Sequence, residues 1–185
     1  MYSRLLTITP PSAYPVTLDE VKTYCVVDFD DDDTLLQSLI AMAVEHVQGI
    51  LGRQLMGATY ELHLSAFPAG ELFLSPPPVT EVQSITYLDT DGASRTFANW
   101  QAFLSSDRPH IAPLASWPAV QTDPEAVKIR FTAGSDTVPN ERARLAIMAL
   151  VAHWYEHRTP TDGNAREVPH HVTRLLNGAR NWSQV

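Results

Sequence analysis

The sequence predicts an α+β fold, with a four-helix core and an inserted antiparallel β-rich region. Apolar residues recur at helical spacing near both ends of the 185-residue chain, over about 17–52 and about 139–180. Between these regions, over about 58–133, the apolar period falls to two and turn residues separate the segments. The composition, 44% hydrophobic and 18% charged, is that of a folded chain and favours a single domain over residues 1–185.

The N-terminal part of the chain is predicted to be an extended lead followed by a short helix. Three prolines remove amide donors and favour extended backbone over residues 1–16. Thr17 and Glu20 have the spacing of a capping box, in which the hydroxyl caps the backbone and the carboxylate reaches back. A helix over about 17–26 is therefore predicted.

An acidic run over residues 28–33 precedes a second helix. It offers carboxylates to a calcium ion, but Asp33 stands where a calcium loop requires glycine, and Leu39 where it requires a carboxylate. Because carboxylates are favourable at a helix N-terminus, the run is interpreted as a helix start. Apolar residues follow at helical spacing over 35–51, and Gly52 is a suitable C-terminal stop.

The middle of the chain is predicted to form short strands. Asp91-Gly92 indicates a hairpin turn, because glycine adopts positive φ without steric cost. The last predicted strand has apolar side chains on one face and basic side chains on the other. The predicted strands cover residues 60–64, 71–74, 81–88, 94–97 and 127–132.

Two helices are predicted at the C-terminal end. The first runs from Pro139 to about His157 and is apolar nearly all round, so most of its sides must be buried. These sides are buried either in the core of the chain or against a neighbouring subunit, and the sequence pattern is consistent with both. A last short helix is predicted to begin near Pro169.

Charge and cysteine content bear on the class of protein. A formal net charge of −8 makes a general nucleic-acid-binding surface unexpected, because phosphate binding depends on Lys and Arg. Cys25 is the single cysteine, which excludes an internal disulfide and a cysteine-based zinc site. Its apolar spacing predicts a buried small residue rather than a nucleophile. The sequence has no uninterrupted apolar run of about 18 residues, so no membrane partner is expected.

One motif has the form of a metal site. His153, Glu156 and His157 match H-x-x-E-H, in which two histidines on one helix face share zinc and the carboxylate acts as base. A third protein ligand is needed, and Glu167 is the one glutamate after the motif. The motif is better interpreted as a helix end, where histidines complement the helix dipole. No catalytic, cofactor-binding or metal-ligating residue is therefore assigned.

An ordered set of segments along nearly the whole chain carries a family resemblance. Among them are VTLDEVK at 16–22, VKIRFTAG at 127–134 and LVAHWYEHR at 150–158. The other segments are 32–40, 52–55, 74–79, 85–87, 138–139, 168–169 and 175–176. In this order they resemble the head–tail connector (adaptor) proteins of tailed double-stranded DNA phages and gene transfer agents.

The resemblance implies a structural, non-enzymatic role without a cofactor. Members of this family form a ring, commonly a dodecamer, beneath the portal protein, and the ring extends the DNA channel. They join the head to a stopper or tail-completion protein, and double-stranded DNA passes through the lumen without specific binding. The acidic balance of this chain suits such a conduit. The resemblance places the protein at the head–tail junction of the virion, after assembly in the host cytoplasm.

The resemblance also implies surfaces rather than an active site. The subunit interface and core are expected to include Leu145, Met148, Val151, Trp154 and Tyr155. The portal contact is expected in the C-terminal segment, at Val172, Leu175, Leu176, Arg180 and Trp182. Deletion of residues 166–185 is then expected to abolish portal docking and leave the fold largely intact.

Two alternatives to the connector remain. One is a metal-dependent hydrolase that uses His153, Glu156 and His157. The other is a different virion part, such as a stopper or tail-completion protein, which would share the channel role and bind different neighbours.

Overall fold

The structure is a computed structural model that describes residues 2–105, 108–135, 141–157 and 170–177. Within these residues it contains four helices and eight strands, and its sheets are antiparallel, which confirms the predicted α+β class. The helices are α1 (Leu18–Cys25), α2 (Asp33–Leu51), α3 (Glu141–Glu156) and α4 (His170–Asn177). The strands are β1 (Ser3–Thr9), β2 (Ala58–Leu64), β3 (Leu72–Phe73), β4 (Val79–Leu88), β5 (Ser94–Thr96), β6 (Trp100–Phe103), β7 (His110–Pro113) and β8 (Val127–Ala133).

The chain divides into two compact units. The sheet unit comprises Met1–Ser12, Met56–Asp136 and Ser183–Val185. The helical unit comprises Ala13–Leu55 and Thr137–Trp182. The middle of the chain is therefore an insertion between the two halves of the helical unit. A single domain over residues 1–185 stays a prediction.

The sheet unit contains a five-stranded sheet in the order β1-β2-β8-β4-β5 and a three-stranded sheet in the order β3-β7-β6. In β8, Ile129 and Phe131 are buried while Lys128 and Arg130 are exposed, as the two-faced pattern predicted. The Phe131 ring stacks on Tyr60 of β2 with 5.8 Å between ring centroids. The apolar face of β8 thus forms the centre of the sheet unit's core.

Strand β1 is an element that the sequence did not predict as a strand. Part of the predicted extended lead pairs antiparallel with β2, and Leu5 lies opposite Leu62 while Thr7 lies opposite Tyr60. The extended conformation was therefore correct. The pairing depends on β2, more than fifty residues further along the chain, so local sequence could not indicate it.

The helical unit begins with the predicted capping box. The Glu20 backbone N–H donates to Thr17 Oγ1, and the Thr17 backbone N–H donates to Glu20 Oε2 at 2.8 Å. Val16 and Val21, one on each side of this cap, are both buried in the helical core. Such a cap stabilises a helix by about 1 kcal/mol relative to alanine.

Helix α2 is the longest helix of the described residues, and seven of its 19 residues are buried. Leu36, Ile40 and Val47 are buried against the other helices, and the helix ends at Gly52 with φ 62°, as predicted. At 19 residues with a mean hydropathy of 1.2, α2 is long and apolar enough to cross a membrane by composition alone. Core helices of water-soluble proteins have the same composition, and polar residues interrupt its apolar run.

Candidate interaction surfaces

Helix α3 places the five predicted interface and core residues in different environments. Val151 is fully buried inside the helical core. Met148, Trp154 and Tyr155 are half-buried and pack against that core. Leu145 is 40% exposed. Of the five, Leu145 therefore has the largest exposed fraction.

A shallow groove of about 410 Å³ lies beside α1 and α3 in the helical unit. The half-buried Met148 side chain contributes one apolar wall, and the Tyr24 ring, which is 44% exposed, contributes another. The remaining lining residues are Asp19, Glu20, Thr23 and Arg144. Aromatic and methionine side chains beside an arginine are the composition that protein–protein interfaces favour.

Arg144 holds the wall of this groove in place. Its Nε donates to the Pro15 carbonyl oxygen at 3.1 Å, and its Nη1 donates to Glu141 Oε1 at 3.0 Å. Its Nη2 donates to Glu20 Oε1. The Thr17 backbone N–H, and then Arg144, hold the pKa of the Glu20 carboxyl below its usual value. The charged pair fixes the start of α1 against α3.

The acidic run before α2 is held by a lysine of α1. Lys22 Nζ donates to Asp30 Oδ1 at 2.6 Å and to Asp33 Oδ1 at 2.8 Å. This lysine lowers the pKa of the Asp30 carboxyl, and the two carboxylates raise the pKa of Lys22. The Tyr155 hydroxyl donates to Asp32 Oδ2 at 2.6 Å, which ties the end of α3 to the start of α2. These carboxylates therefore connect the start of α2 to α1 and α3.

The H-x-x-E-H motif lies at the C-terminal end of α3, and His157 follows the last helical residue. The rings of His153 and His157 lie 4.6 Å apart between centroids, so the helical spacing does bring them together. His157 Nδ1 donates to the His153 carbonyl oxygen at 2.9 Å. This hydrogen bond supplies a donor to one of the last carbonyl groups of the helix, which have no partner within it. Within residues 2–105, 108–135, 141–157 and 170–177, no group of three or more His, Cys, Asp or Glu side chains is placed to hold a metal ion.

Cys25 lies at the end of α1 and is half-buried against the helical core. Burial, and then the charge of Glu156, raise the pKa of the Cys25 thiol above its usual value. A thiol with a raised pKa is a poor nucleophile near neutral pH, because the thiolate is the reactive form. This environment agrees with the prediction of a packing residue.

The predicted portal-contact residues differ in burial, and two of them lie outside the described residues. Val172 and Leu176 of α4 are fully buried in the helical core, and Leu175 is half-buried. Arg180 and Trp182 lie outside the described residues. Because Val172 and Leu176 pack inside their own unit, a deletion of 166–185 should not leave the fold largely intact, contrary to the expectation from the sequence.

A charged cluster on the five-stranded sheet was missed by the sequence analysis. His63 is buried in β2, with Nε2 2.7 Å from Glu61 Oε1 and Nδ1 3.1 Å from Glu125 Oε2. Arg130 Nη2 donates to Glu61 Oε2 at 2.7 Å. Glu61 and Arg130 face each other because β2 and β8 are in register. The sequence shows polar residues at alternate positions of both strands. It does not show the register that places Glu61 opposite Arg130.

The Glu61 carboxyl should make stability depend on pH. Burial opposes its ionisation, but hydrogen bonds from His63 and Arg130 outweigh burial and hold the pKa of Glu61 below its usual value. A lowered folded-state pKa contributes stability that is present above about pH 4.5, the ordinary value, and is lost as pH falls through the folded pKa. Glu61→Gln should therefore be less stable than wild type at pH 7, and the difference should shrink at acidic pH.

Urea unfolding across pH 3–7 measures this difference. Glu81→Gln, at an exposed position of β4, is the matched control and should follow the wild-type curve throughout. Parallel curves for Glu61→Gln and wild type, with a constant gap, would contradict the assignment.

Comparison with known proteins identifies the family of this fold. The family model described as head completion protein matches residues 16–180, which is most of the chain. The chain belongs to the head completion protein family. The match takes in α1 to α4 and the inserted strands, so it covers both halves of the helical unit. It confirms the assignment made from the ordered segments, a phage or gene transfer agent structural protein of the head–tail connector kind.

Solved structures give the same fold for this head completion family member. The chain is 24% identical to a chain in the neck of an empty gene transfer agent particle computed with C6 symmetry, with 96% of this chain and 95% of that chain covered and a TM-score of 0.80. It is 25% identical to one in the neck of a native particle computed with C12 symmetry, with 97% and 95% covered and a TM-score of 0.74. A third match, in the virion of a native gene transfer agent particle, has 24% identity, 95% and 94% coverage and a TM-score of 0.79. A search of curated proteins gives no match.

Proposed function

We propose that this protein is a structural, non-enzymatic head–tail connector that forms a ring at the neck of the virion. The observation that carries the proposal is the family match over residues 16–180, joined to the likeness of nearly the whole chain to chains of gene transfer agent necks. One of those necks was computed with C12 symmetry, which supports a ring of twelve copies. In this role the ring lies beneath the portal, extends the DNA channel and receives a stopper or tail-completion protein.

The charge of the chain supports the conduit role. Each copy carries a formal net charge of −8, so a ring of copies repels the phosphate backbone of DNA. Double-stranded DNA would then pass through the lumen without being held there. The protein would act in the virion, at the head–tail junction, after assembly in the host cytoplasm.

Imaging of the full-length protein mixed with its portal protein tests the proposal. We expect a ring on the tail-side face of the portal, with a mass that corresponds to about twelve copies. A complex without a ring, or binding to the tail tube alone, would favour the stopper or tail-completion alternative. Metal analysis of the same purified protein addresses the hydrolase alternative, because stoichiometric zinc at His153 and His157 would contradict a purely structural role.

A substitution at Leu145 tests the predicted subunit interface. Leu145→Glu should leave the folded protomer intact, because this side chain is 40% exposed. It should lower ring formation at least tenfold, because a charge placed in an apolar contact loses its hydration. Ser94→Glu, at an exposed position of β5, adds the same charge as a matched control and should form rings normally. If Leu145→Glu forms rings normally, Leu145 does not lie in the subunit interface.

A further inference from the structure

Strand β1 is an edge strand with open hydrogen-bonding groups. Within the described residues β1 pairs with β2 alone, at one end of the five-stranded sheet. The Tyr2 backbone N–H donates to Ser65 Oγ, and the Ser65 N–H donates to the Tyr2 carbonyl, so both backbone groups of Tyr2 point toward β2. Backbone groups alternate direction along an antiparallel strand. Those of Ser3, Leu5 and Thr7 therefore point toward the open edge.

The usual protection of an edge strand is weak here. Native edges are blunted by prolines, lysines, bulges or inward-pointing charges. Residues 3–9 contain neither proline nor lysine, and their one charged side chain, Arg4, lies 3.8 Å from Glu125 of the same unit. The register with β2 is regular from Ser3 to Thr7, with an irregularity before Thr9. Tyr2, Leu5 and Ile8 expose between 41% and 46% of their surface. The open edge is thus regular over five residues and carries apolar side chains.

An apolar groove lies beside this edge, within the sheet unit. It has a volume of about 400 Å³ and is lined by residues of β1, β2 and β3, and β3 is itself the edge strand of the three-stranded sheet. A cavity of about 150 Å³ holds a benzene ring, so the groove has room for two apolar side chains. Its apolar lining consists of Leu5, Leu62, Leu64, Pro68, Leu72 and Phe73.

The edge and the groove select the same kind of ligand. Residues directly opposite each other in a sheet share a face, so Leu5 faces the same side as Leu62, which lines the groove. A strand added to β1 would pair with the outward backbone groups of Ser3, Leu5 and Thr7. Its residues opposite them would place alternate side chains over the groove. Backbone pairing gives affinity in this mode of binding, and the pockets for alternate side chains give specificity.

We propose that β1 and this groove bind an extended segment of a different virion protein, with apolar residues at alternate positions, by strand addition. Pairing of β1 with β1 of a second copy would be a twofold contact, which does not propagate around a cyclic ring. This step rests on the proposed ring. Each of the other described strands of this chain exposes at most one large apolar side chain, so none of them offers exposed apolar side chains at alternate positions.

Site-specific photo-crosslinking in assembled necks tests the inference. A benzophenone amino acid at position 3, beside the groove, should crosslink to one segment of another virion protein, and mass spectrometry should find apolar residues at alternate positions in it. The same label at Ser94 of β5 is the control for non-specific reaction. Crosslinks to a second copy of this chain, or no more product than the control gives, would overturn the proposal.

Two substitutions at Leu5 separate strand addition from simple proximity. Leu5→Pro removes the outward N–H and leaves the bonds to β2 in place, since proline is tolerated where a strand's N–H faces the open edge. Leu5→Lys keeps the N–H and places a charge over the groove. Each should reduce crosslinking from position 3 at least tenfold, while Leu5→Val should retain it. If Leu5→Pro fails to fold, Leu5→Lys still decides the matter, because undiminished crosslinking would overturn the proposal.

Imaging of the same necks distinguishes a failure of the strand-addition proposal from a failure of the connector proposal. A ring that is present but gives no specific crosslink overturns strand addition and leaves the connector role intact. Absence of the chain from the necks overturns the connector role, and the assignment of this occupant falls with it.

Discussion

Deletion of residues 166–185 should strongly destabilise the helical unit. Val172 and Leu176 of α4 are fully buried among the helices, and the deletion removes both. Loss of one buried leucine side chain alone costs about 2–5 kcal/mol. A domain is stable by only about 5–15 kcal/mol, so we expect a large fall in thermal midpoint or loss of the folded helical unit. This expectation replaces the one drawn from the sequence, that the fold survives the deletion.

Two further variants separate folding from docking. Leu176→Ala should cost about 2–5 kcal/mol in urea unfolding, while Arg174→Ala, at an exposed position on the same helix, should stay near wild type. Deletion of residues 178–185 removes Arg180 and Trp182 and retains α4. It should still abolish portal docking. A stable 166–185 deletion would show that α4 contributes little to the core.

Elements with local signals were predicted well from the sequence. The capping box of Thr17 and Glu20 and the glycine stop at Gly52 each involve residues that are close along the chain, and both have the predicted geometry. Strand β8 was also predicted, because its alternation of apolar and basic residues is complete within seven positions. In each case a short stretch of sequence determines the structure.

Features that depend on pairing between distant segments were not predictable. Glu61 and Arg130 are 69 positions apart, and only the register of β2 and β8 brings them together. The same holds for β1, whose sequence has no clear alternation and whose strand conformation depends on β2. The apolar groove beside β1 depends on three strands at once, so no local pattern could indicate it.

The surface of α3 shows a second limit of prediction from the sequence. Apolar residues surround most of α3, and the sequence left open whether the core or a second subunit covers them. Within the protomer, the core covers Val151 and leaves Leu145 exposed. Helical spacing alone could not separate them, since side chains on several sides of α3 are apolar and the packing of the other helices decides which are covered.

Phe131→Ala should be the most damaging single substitution in the sheet unit. Phe131 is a fully buried side chain of β8, and its ring stacks on Tyr60. Truncation of a buried phenylalanine to alanine costs about 3–5 kcal/mol, through lost apolar burial and the cavity that remains. Lys128→Ala, on the exposed face of the same strand, is the matched control and should cost less than about 1 kcal/mol. Thermal and urea unfolding measure both.

The same variant tests the prediction of one domain. The insertion Met56–Asp136 joins the two halves of the helical unit, so its unfolding turns about 80 residues into a flexible loop within that unit. Closure of such a loop costs about 3–4 kcal/mol on the scale of (3/2)RT ln n. Phe131→Ala should therefore lower the stability of the helices too, and hydrogen exchange should report one shared transition for both units. A second transition, with helices protected well above the midpoint of the sheet unit, would contradict the single domain.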